Sequence, residues 1–226
     1  WEALQRYGLI QPSDRIKDIA GAAILTILAA FLVSFYFKNQ NQQESYSIKA
    51  ILLIALTFLV FLGVARFVVI DRTILPYVFP IAAFSLTLAI IFNFELAVVF
   101  SIILGIMTAY GMPSGLDLSI YYILPSILGM LVLGKARRIA AFFLSGIIIG
   151  ASGIGIILGY RLPDSVTDWI GIATLSGASL ISGVGAAGLT LLLQYAFSQF
   201  LGITTALQLL DTSRPDPPLL QRMLRN

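Results

Sequence analysis

The sequence predicts an all-α, polytopic membrane protein built as a bundle of seven transmembrane helices. Hydrophobic residues make up 58% of the 226 residues and charged residues only 11%, whereas soluble domains are roughly 25% charged. The mean hydropathy is +0.94. Apolar stretches follow one another as far as Phe200 with short polar breaks, and most have about the 20 residues that a helix needs to cross a bilayer.

The amino-acid composition excludes several kinds of chemistry. The sequence has no cysteine and no histidine, so it cannot form disulfides, thiolate or imidazole metal sites, or a histidine-dependent acid–base centre. Glycine-rich phosphate loops, dinucleotide fingerprints and serine-hydrolase elbows are also absent from the sequence. We therefore expect no catalytic residue, metal or cofactor within these residues. The net charge of +3 is spread along the helix flanks, which argues against nucleic acid and for the lipid bilayer as partner.

The first two predicted spans cover residues 19–37 and 50–70. Residues 1–18 place apolar side chains at helical spacing and are predicted to be either a disordered terminus or the end of an upstream domain. Because the chain opens with Trp1 rather than Met, we expect it to be a piece of a longer protein. Arg66 lies near the end of the second span, where its guanidinium is expected to extend to the membrane interface.

The third and fourth predicted spans cover residues 74–92 and 96–110. Pro80 lies inside the third span, so it must bend that helix or have its lost hydrogen bond replaced by neighbouring groups. A tight turn begins at Asn93 and leads into the fourth span. Glu95 is expected to stabilise the positive N-terminal end of that helix rather than to carry a proton or an ion.

The fifth predicted span, residues 118–133, is followed by the basic segment 134–138, Gly-Lys-Ala-Arg-Arg. Tyr121 and Tyr122 lie near the start of this span, and their position predicts an aromatic belt at one interface. Three basic residues within four positions favour the cytoplasmic side. With seven alternating spans, the N-terminus is then predicted outside and the C-terminus in the cytoplasm.

Small residues recur at helical spacing in the sixth span, residues 139–160, and in the seventh, residues 169–202. Such spacing lets two helix backbones approach closely. The glycines predicted to pack in this way are Gly146, Gly150, Gly155 and Gly159 in the sixth span and Gly177 and Gly183 in the seventh. Three serines of the seventh span are predicted to form interhelical hydrogen bonds rather than a substrate site, namely Ser176, Ser179 and Ser182.

The seventh span is too long for one simple crossing at about 1.5 Å per residue. It is either a single helix that extends beyond the membrane or a helix broken at its glycine-rich middle, residues 183–188. The sequence is too short for two full crossings with a turn, which would need more than about 40 residues. We predict the single extended helix.

The segment after the last span resembles a linker of a known family. Its sequence, from Phe200, is FLGITTALQLLDTSRPDPPLLQRMLRN, and its most specific residues are Pro215, Pro218, Leu219 and Leu220. It is similar to the segment that joins the membrane helices to the cytoplasmic catalytic domain in the seven-transmembrane HD phosphohydrolase family. A weaker resemblance to the end of that family's extracellular domain lies at Leu4, Tyr7, Gly8, Leu9 and Ile10. Pro217 departs from the family pattern, which often has a histidine or another polar residue there.

The resemblance implies three parts. Residues 1–18 would end an extracellular domain, residues 19–202 would form the seven-helix transmembrane domain, and residues 203–226 would be a cytoplasmic linker to a catalytic domain outside this chain. Family members of this kind hydrolyse cyclic di-AMP with a metal pair held by His and Asp. The resemblance therefore implies an anchor and signal transmitter in a bacterial plasma (inner) membrane, whose partners include the extracellular and HD domains of the same chain.

Two other function classes stay open. A small-solute transporter or channel would use a cavity between the proline-bearing third and fifth spans, although every charge except that of Arg66 can lie at a helix end. A scaffold would bind other membrane proteins through its glycine-rich faces, and the same faces leave a homo-oligomer open.

Overall fold

Helices account for every regular element in the computed structural model, which describes residues 12–39, 47–69, 72–112, 114–134, 139–163 and 168–202. In chain order they are α1 (Pro12–Asn39), α2 (Ile48–Val69), α3 (Leu75–Val78), α4 (Ala82–Ile91), α5 (Phe94–Ala109), α6 (Gly115–Leu133), α7 (Ile139–Arg161) and α8 (Trp169–Leu201). The seven predicted spans correspond to these helices, with α3 and α4 together forming the third span. The prediction of an all-α membrane bundle is confirmed.

Five described helices are long and apolar enough to cross a membrane, namely α1 from Lys17, α2, α6, α7 and α8. The third and fourth spans, Leu75–Ile91 and Phe94–Ala109, are shorter apolar segments. At about 1.5 Å per residue, each measures about 25 Å, somewhat less than the roughly 30 Å hydrocarbon core. α1 begins at Pro12, earlier than predicted, since proline is well tolerated in the first helical turn.

Successive spans run in opposite directions, which gives the bundle two ends. We call one the arginine end, because Arg66, Arg72 and Arg161 line the same cavity there. The other is the tail end, where α8 finishes. At the tail end the ring of Phe92 meets that of Phe197 at 6.3 Å between centroids. α8 is one continuous helix, as predicted, and it ends because Gly202 takes the left-handed conformation at φ 65°.

α4 lies at the centre of the bundle. Its residues from Ala82 to Leu88 are all buried, and it packs against α5, α6 and α8. The ring of Phe84 contacts those of Phe58, Phe61 and Phe100, with centroids 5.5–6.1 Å apart. α1 lies at the periphery, since none of its apolar window is buried inside the protein. Its exposed apolar side chains are those expected to face lipid.

Asn93 joins two helices at the tail end. It is the N-cap of α5, and its side-chain oxygen accepts from the Leu96 N–H at 2.8 Å. The same oxygen accepts from the Tyr36 hydroxyl of α1 at 3.0 Å. Glu95 lies in the first turn of α5, where its charge was predicted to be favourable. One side chain therefore caps α5 and holds α1 to the bundle.

We expect Asn93→Ala to lower the free energy of unfolding by about 1–2 kcal/mol, because the substitution removes the cap and the bond to Tyr36 together. Thermal unfolding of the detergent-solubilised protein measures the change. Ser114→Ala is the matched control, since Ser114 occupies the N-cap of α6 without a side-chain cap bond. Equal unfolding temperatures for the two variants would contradict the assignment.

Candidate functional site at the broken third helix

The third span is broken around Pro80. α3 ends at Val78 and α4 begins at Ala82. Pro80 has no N–H, so the Pro76 carbonyl loses the donor that an unbroken helix would supply from four residues on. The Ile81 N–H donates to the Phe79 carbonyl at 2.9 Å, so the Tyr77 carbonyl loses its helical donor as well. The break thus leaves the carbonyls of Pro76, which is buried, and Tyr77, which is half-buried, without their helical donors.

Three side chains from α6 and α8 donate hydrogen bonds to the broken segment. The Tyr122 hydroxyl donates to the Pro76 carbonyl and the Tyr121 hydroxyl to the Tyr77 carbonyl, both at 2.8 Å. The Ser182 hydroxyl of α8 donates to the Phe79 carbonyl at 3.1 Å. Pro80 was predicted either to bend the helix or to have its lost hydrogen bond replaced by neighbouring groups, and the structure has both.

The prediction that Tyr121 and Tyr122 form an aromatic belt is wrong. Their side chains are only 5% and 2% exposed. The ring of Tyr121 contacts that of Tyr77, with centroids 4.8 Å apart. The hydroxyls of Tyr121 and Tyr122 both donate hydrogen bonds to carbonyls of α3. The sequence held one signal for this, namely two prolines four residues apart in the third span, because such a pair leaves carbonyls that need donors from elsewhere.

The prediction of interhelical serines is confirmed at two positions. Besides the bond from Ser182, the Ser179 hydroxyl donates to the Gly150 carbonyl of α7 at 3.0 Å. Ser176 is half-buried. These bonds fix α8 against α7 on one side and against the broken third span on the other.

Three of the predicted packing glycines lie where α7 and α8 meet. A Cβ added to Gly183 would lie 2.2 Å from the Gly146 carbonyl oxygen and 2.7 Å from the Gly150 nitrogen. A Cβ on Gly146 would lie 2.7 Å from the Gly183 carbonyl oxygen. Gly153, which was not among the predicted glycines, is packed equally tightly, because a Cβ there would lie 2.1 Å from the Ser179 Oγ. It follows Gly150 by three residues rather than four, and both spacings share one helix face.

The other three predicted glycines, Gly155, Gly159 and Gly177, lie away from this contact. A Cβ added to any of them would meet no atom within 4 Å among the described residues. Two crossed helices touch closely over a limited length, so a glycine repeat that continues along a helix need not continue along its interface. Here the close approach is confined to the stretch around Gly146–Gly153 and Ser179–Gly183.

A cavity of about 920 Å³ opens beside the break at the arginine end. Residues from α1, α2, α3, α6 and α7 contribute to its walls, together with residues from the segments that follow α2 and α5. The lining residues include Asp18, Arg66, Val69, Arg72, Pro76, Tyr77, Tyr110, Leu118 and Arg161. Pro76 and Tyr77 belong both to this wall and to the broken segment, so the cavity and the break form one structural unit.

Arg66 is half-buried and bonds the end of α5. Its Nη1 donates to the Thr108 carbonyl at 3.4 Å and, in a short contact, to the Tyr110 carbonyl. A cation at a helix C-terminus interacts favourably with the unpaired carbonyls there. The guanidinium extends toward the helix end as expected, and there it bonds the carbonyls at the C-terminal end of α5.

Tyr110 attaches α1 over the cavity. Its hydroxyl donates to the Asp18 carbonyl at 3.2 Å. A Cβ on Gly21 would lie 2.0 Å from the Tyr110 hydroxyl oxygen, so glycine at this position lets the ring approach. Because α1 covers the cavity through this contact, the cavity wall includes the most peripheral helix of the bundle.

Several predicted residues fall outside the ranges that the structure describes. They are the linker residues Pro215, Pro218, Leu219 and Leu220 and the basic residues Lys135, Arg137 and Arg138. The metal pair implied by the resemblance does not fit the described part of the chain, where no group of three His, Cys, Asp or Glu side chains could hold an ion.

Comparisons with known proteins agree with the resemblance. A family model described as "7TM receptor with intracellular HD hydrolase" matches residues 16–205. The cyclic-di-AMP phosphodiesterase PgpH of Bacillus subtilis (strain 168) is 26% identical over 235 aligned residues, which cover 99% of this chain and 33% of that protein. The protein of the same name from Listeria monocytogenes serotype 1/2a (strain 10403S) is 24% identical over 233 residues, which cover 99% of this chain and 32% of that protein. No solved structure matches the chain significantly.

Proposed function

Because the chain belongs to the family of 7TM receptors with an intracellular HD hydrolase, we propose that it is the transmembrane anchor and signal-transmitting domain of a membrane-bound HD-type cyclic di-AMP phosphodiesterase. The chain spans about a third of the length of the curated relatives it matches, both named as cyclic-di-AMP phosphodiesterases. The proposal assigns hydrolysis to an HD domain of the same protein that follows residue 226. The divalent metal pair would belong to that domain.

The proposal includes a division of the chain and an orientation. Residues 1–18 end an extracellular domain, residues 19–202 cross a bacterial plasma membrane, and residues 203–226 link to the HD domain. At the tail end α6 finishes at Leu133 and α7 begins at Ile139. The basic segment 134–138 connects these two helices in the sequence, which supports placing that end in the cytoplasm. The arginine end then faces outward.

The observation that carries the signalling part of the proposal is the bond between Ser182 and the broken third span. α8 has 33 residues, or about 50 Å, and therefore exceeds the roughly 30 Å hydrocarbon core. One end of α8 lies at the arginine end and the other leads to residue 203. A change in α3 would thus be transmitted to the linker through a single unbroken helix, provided that the two states differ in their contacts.

The experiment uses the full-length protein in liposomes, with and without its upstream domain, and measures the rate of cyclic di-AMP hydrolysis. We expect removal of the upstream domain to change the rate, because a transmitted signal must alter the balance between two states. If the rate of hydrolysis stayed unchanged under all conditions, the signalling role would be rejected and only the anchoring role would remain.

Ser182→Ala tests the path in the same assay. We expect the rate difference between the intact and the truncated protein to fall about fivefold, which corresponds to the loss of about 1 kcal/mol of coupling. Ser176→Ala is the control, because Ser176 lies on the same helix and is only half-buried. If both variants kept the full rate difference, the signal would not pass through the bond to Phe79.

A small-solute transporter is the second candidate, because broken helices line the binding sites of many transporters. The bonds from Tyr121, Tyr122 and Ser182 fill this break with protein groups, which favours a structural role for it. Uptake of solutes by liposomes that contain the protein would support the transporter instead.

A further inference from the structure

The cavity at the arginine end carries a net positive charge. Among its described lining residues, the charged ones are Arg66, Arg72, Arg161 and Asp18, so three positive charges and one negative charge leave a net charge of +2. The two partners of Arg66 are backbone carbonyls, which carry no formal charge and leave the guanidinium cationic. Asp117 and Asp168 share smaller adjoining cavities with Arg161 but do not line this one.

Most of the remaining cavity wall is apolar or aromatic, and Thr73 and Ser114 add hydroxyl groups. Val69, Pro76 and Leu118 are buried, and Tyr77 and Tyr110 add ring surfaces that are partly buried. A volume of about 920 Å³ falls in the range of about 300–1,000 Å³ that is usual for ligand cavities. An inorganic phosphate, with five heavy atoms, would fill a small part of it. The cavity therefore matches a ligand that combines an anionic group with an apolar portion.

The position of the cavity matches that of lipid headgroups. It lies where α2, α5 and α7 end and α6 begins, at the depth where a bilayer changes from hydrocarbon to headgroups. One wall is formed by Asp18, Ile19 and Ala22 of α1, a helix whose apolar window is not buried inside the protein. Arginine is well suited to bind phosphate because its planar guanidinium donates two parallel hydrogen bonds.

We propose that this cavity binds a phosphate monoester or diester through Arg72 and Arg161, with Arg66 contributing charge, and that its apolar walls hold the attached glyceride of an anionic phospholipid. The shared chemistry is the phosphate, which either a phospholipid or a water-soluble phosphate ester supplies. Binding at this site does not depend on the signalling role proposed above, and it is measured without any enzyme activity.

Native mass spectrometry of the solubilised protein tests the proposal by titration with phosphatidylglycerol and, separately, with glycerol phosphate. Arg72→Gln/Arg161→Gln removes two exposed guanidiniums. We expect it to weaken phosphatidylglycerol binding by about tenfold or more, because each lost charge-assisted hydrogen bond costs about that factor. The matched control is Lys38→Gln/Lys49→Gln, which removes two exposed cations at the tail end and is expected to change binding by less than about twofold.

Each outcome decides between named alternatives. If only the arginine double variant loses phosphatidylglycerol binding, and glycerol phosphate binds weakly, the ligand is a lipid. Equal affinity for glycerol phosphate supports the phosphate site and assigns it a water-soluble ester. Failure of the wild-type protein to bind either compound, or equal loss in both double variants, overturns the proposal.

A second measurement uses the unmodified sequence and so avoids any effect of substitution on folding. Phenylglyoxal labels accessible arginines, and peptide mass spectrometry locates the label. We expect phosphatidylglycerol to reduce labelling of Arg72 and Arg161 severalfold relative to vesicles of phosphatidylcholine alone, because a bound phosphate occupies the guanidinium. Unchanged labelling at both arginines would overturn the proposal.

Discussion

Gly183→Ala is expected to lower the free energy of unfolding by about 3 kcal/mol or more, or to prevent the bundle from folding. The new Cβ would lie 2.2 Å from the Gly146 carbonyl oxygen and 2.7 Å from the Gly150 nitrogen. Both obstacles are backbone atoms, so no side-chain rotation relieves the clash, and α7 and α8 must separate. Separation would also lengthen the bond from Ser179 to Gly150, which is 3.0 Å long.

Gly177→Ala is the matched control. It is the same substitution on the same helix, and its Cβ would meet no described atom within 4 Å. Alanine is the better helix former by about 1 kcal/mol, so this variant is expected to unfold at the same or a slightly higher temperature. Unfolding in increasing concentrations of a denaturing detergent compares the pair. Equal stability of the two variants would show that the α7–α8 contact is looser than described.

Tyr122→Phe is expected to lower the free energy of unfolding by about 2 kcal/mol. The hydroxyl is the donor to the Pro76 carbonyl at 2.8 Å, and the side chain is only 2% exposed. Removing the hydroxyl leaves a buried carbonyl whose helical donor is already missing because of Pro80. Tyr160→Phe provides the control, since Tyr160 is exposed and loses the same atom.

A double-mutant cycle with Pro80→Ala tests the reason for this cost. Alanine restores an N–H four residues after Pro76, which allows the third span to continue as a helix and to supply that carbonyl itself. We therefore expect Tyr122→Phe to cost less in the Pro80→Ala protein, with a coupling free energy of about 1 kcal/mol. Strictly additive effects would show that the tyrosine stabilises the bundle by packing alone.

The helices were predictable because their signal is local. Long apolar runs interrupted by polar or proline-rich residues define the spans, and the boundaries predicted from them agree closely with those of α2, α7 and α8. The continuity of α8 followed from its length, since its glycine-rich middle carries no proline. Glycine costs a helix about 1 kcal/mol relative to alanine, which neighbouring packing readily offsets.

The site was harder to predict because it depends on which helices meet. Tyrosines near the start of a membrane helix usually lie at the interface. Tyr121 and Tyr122 instead point into the bundle, because their hydroxyls bond the carbonyls of Tyr77 and Pro76 on the facing helix. The glycine repeats predicted a close contact but not its extent, since Gly155 and Gly159 continue the pattern beyond the crossing. The sequence left open a cavity between the third and fifth spans, but the three arginines around it were not predicted, because residues from five helices and their connecting segments form it.

The central place of α4 affects how the protein fits bilayers of different thickness. A helix that is too short for its membrane normally thins the surrounding lipid or draws flanking residues inward. α4 is surrounded by other helices. The short third span therefore contacts protein rather than lipid, and the bilayer does not have to become thinner around it. The hydrophobic thickness of this domain is therefore set by its peripheral helices, and the break at Pro80 is shielded from variation in the thickness of the membrane around it.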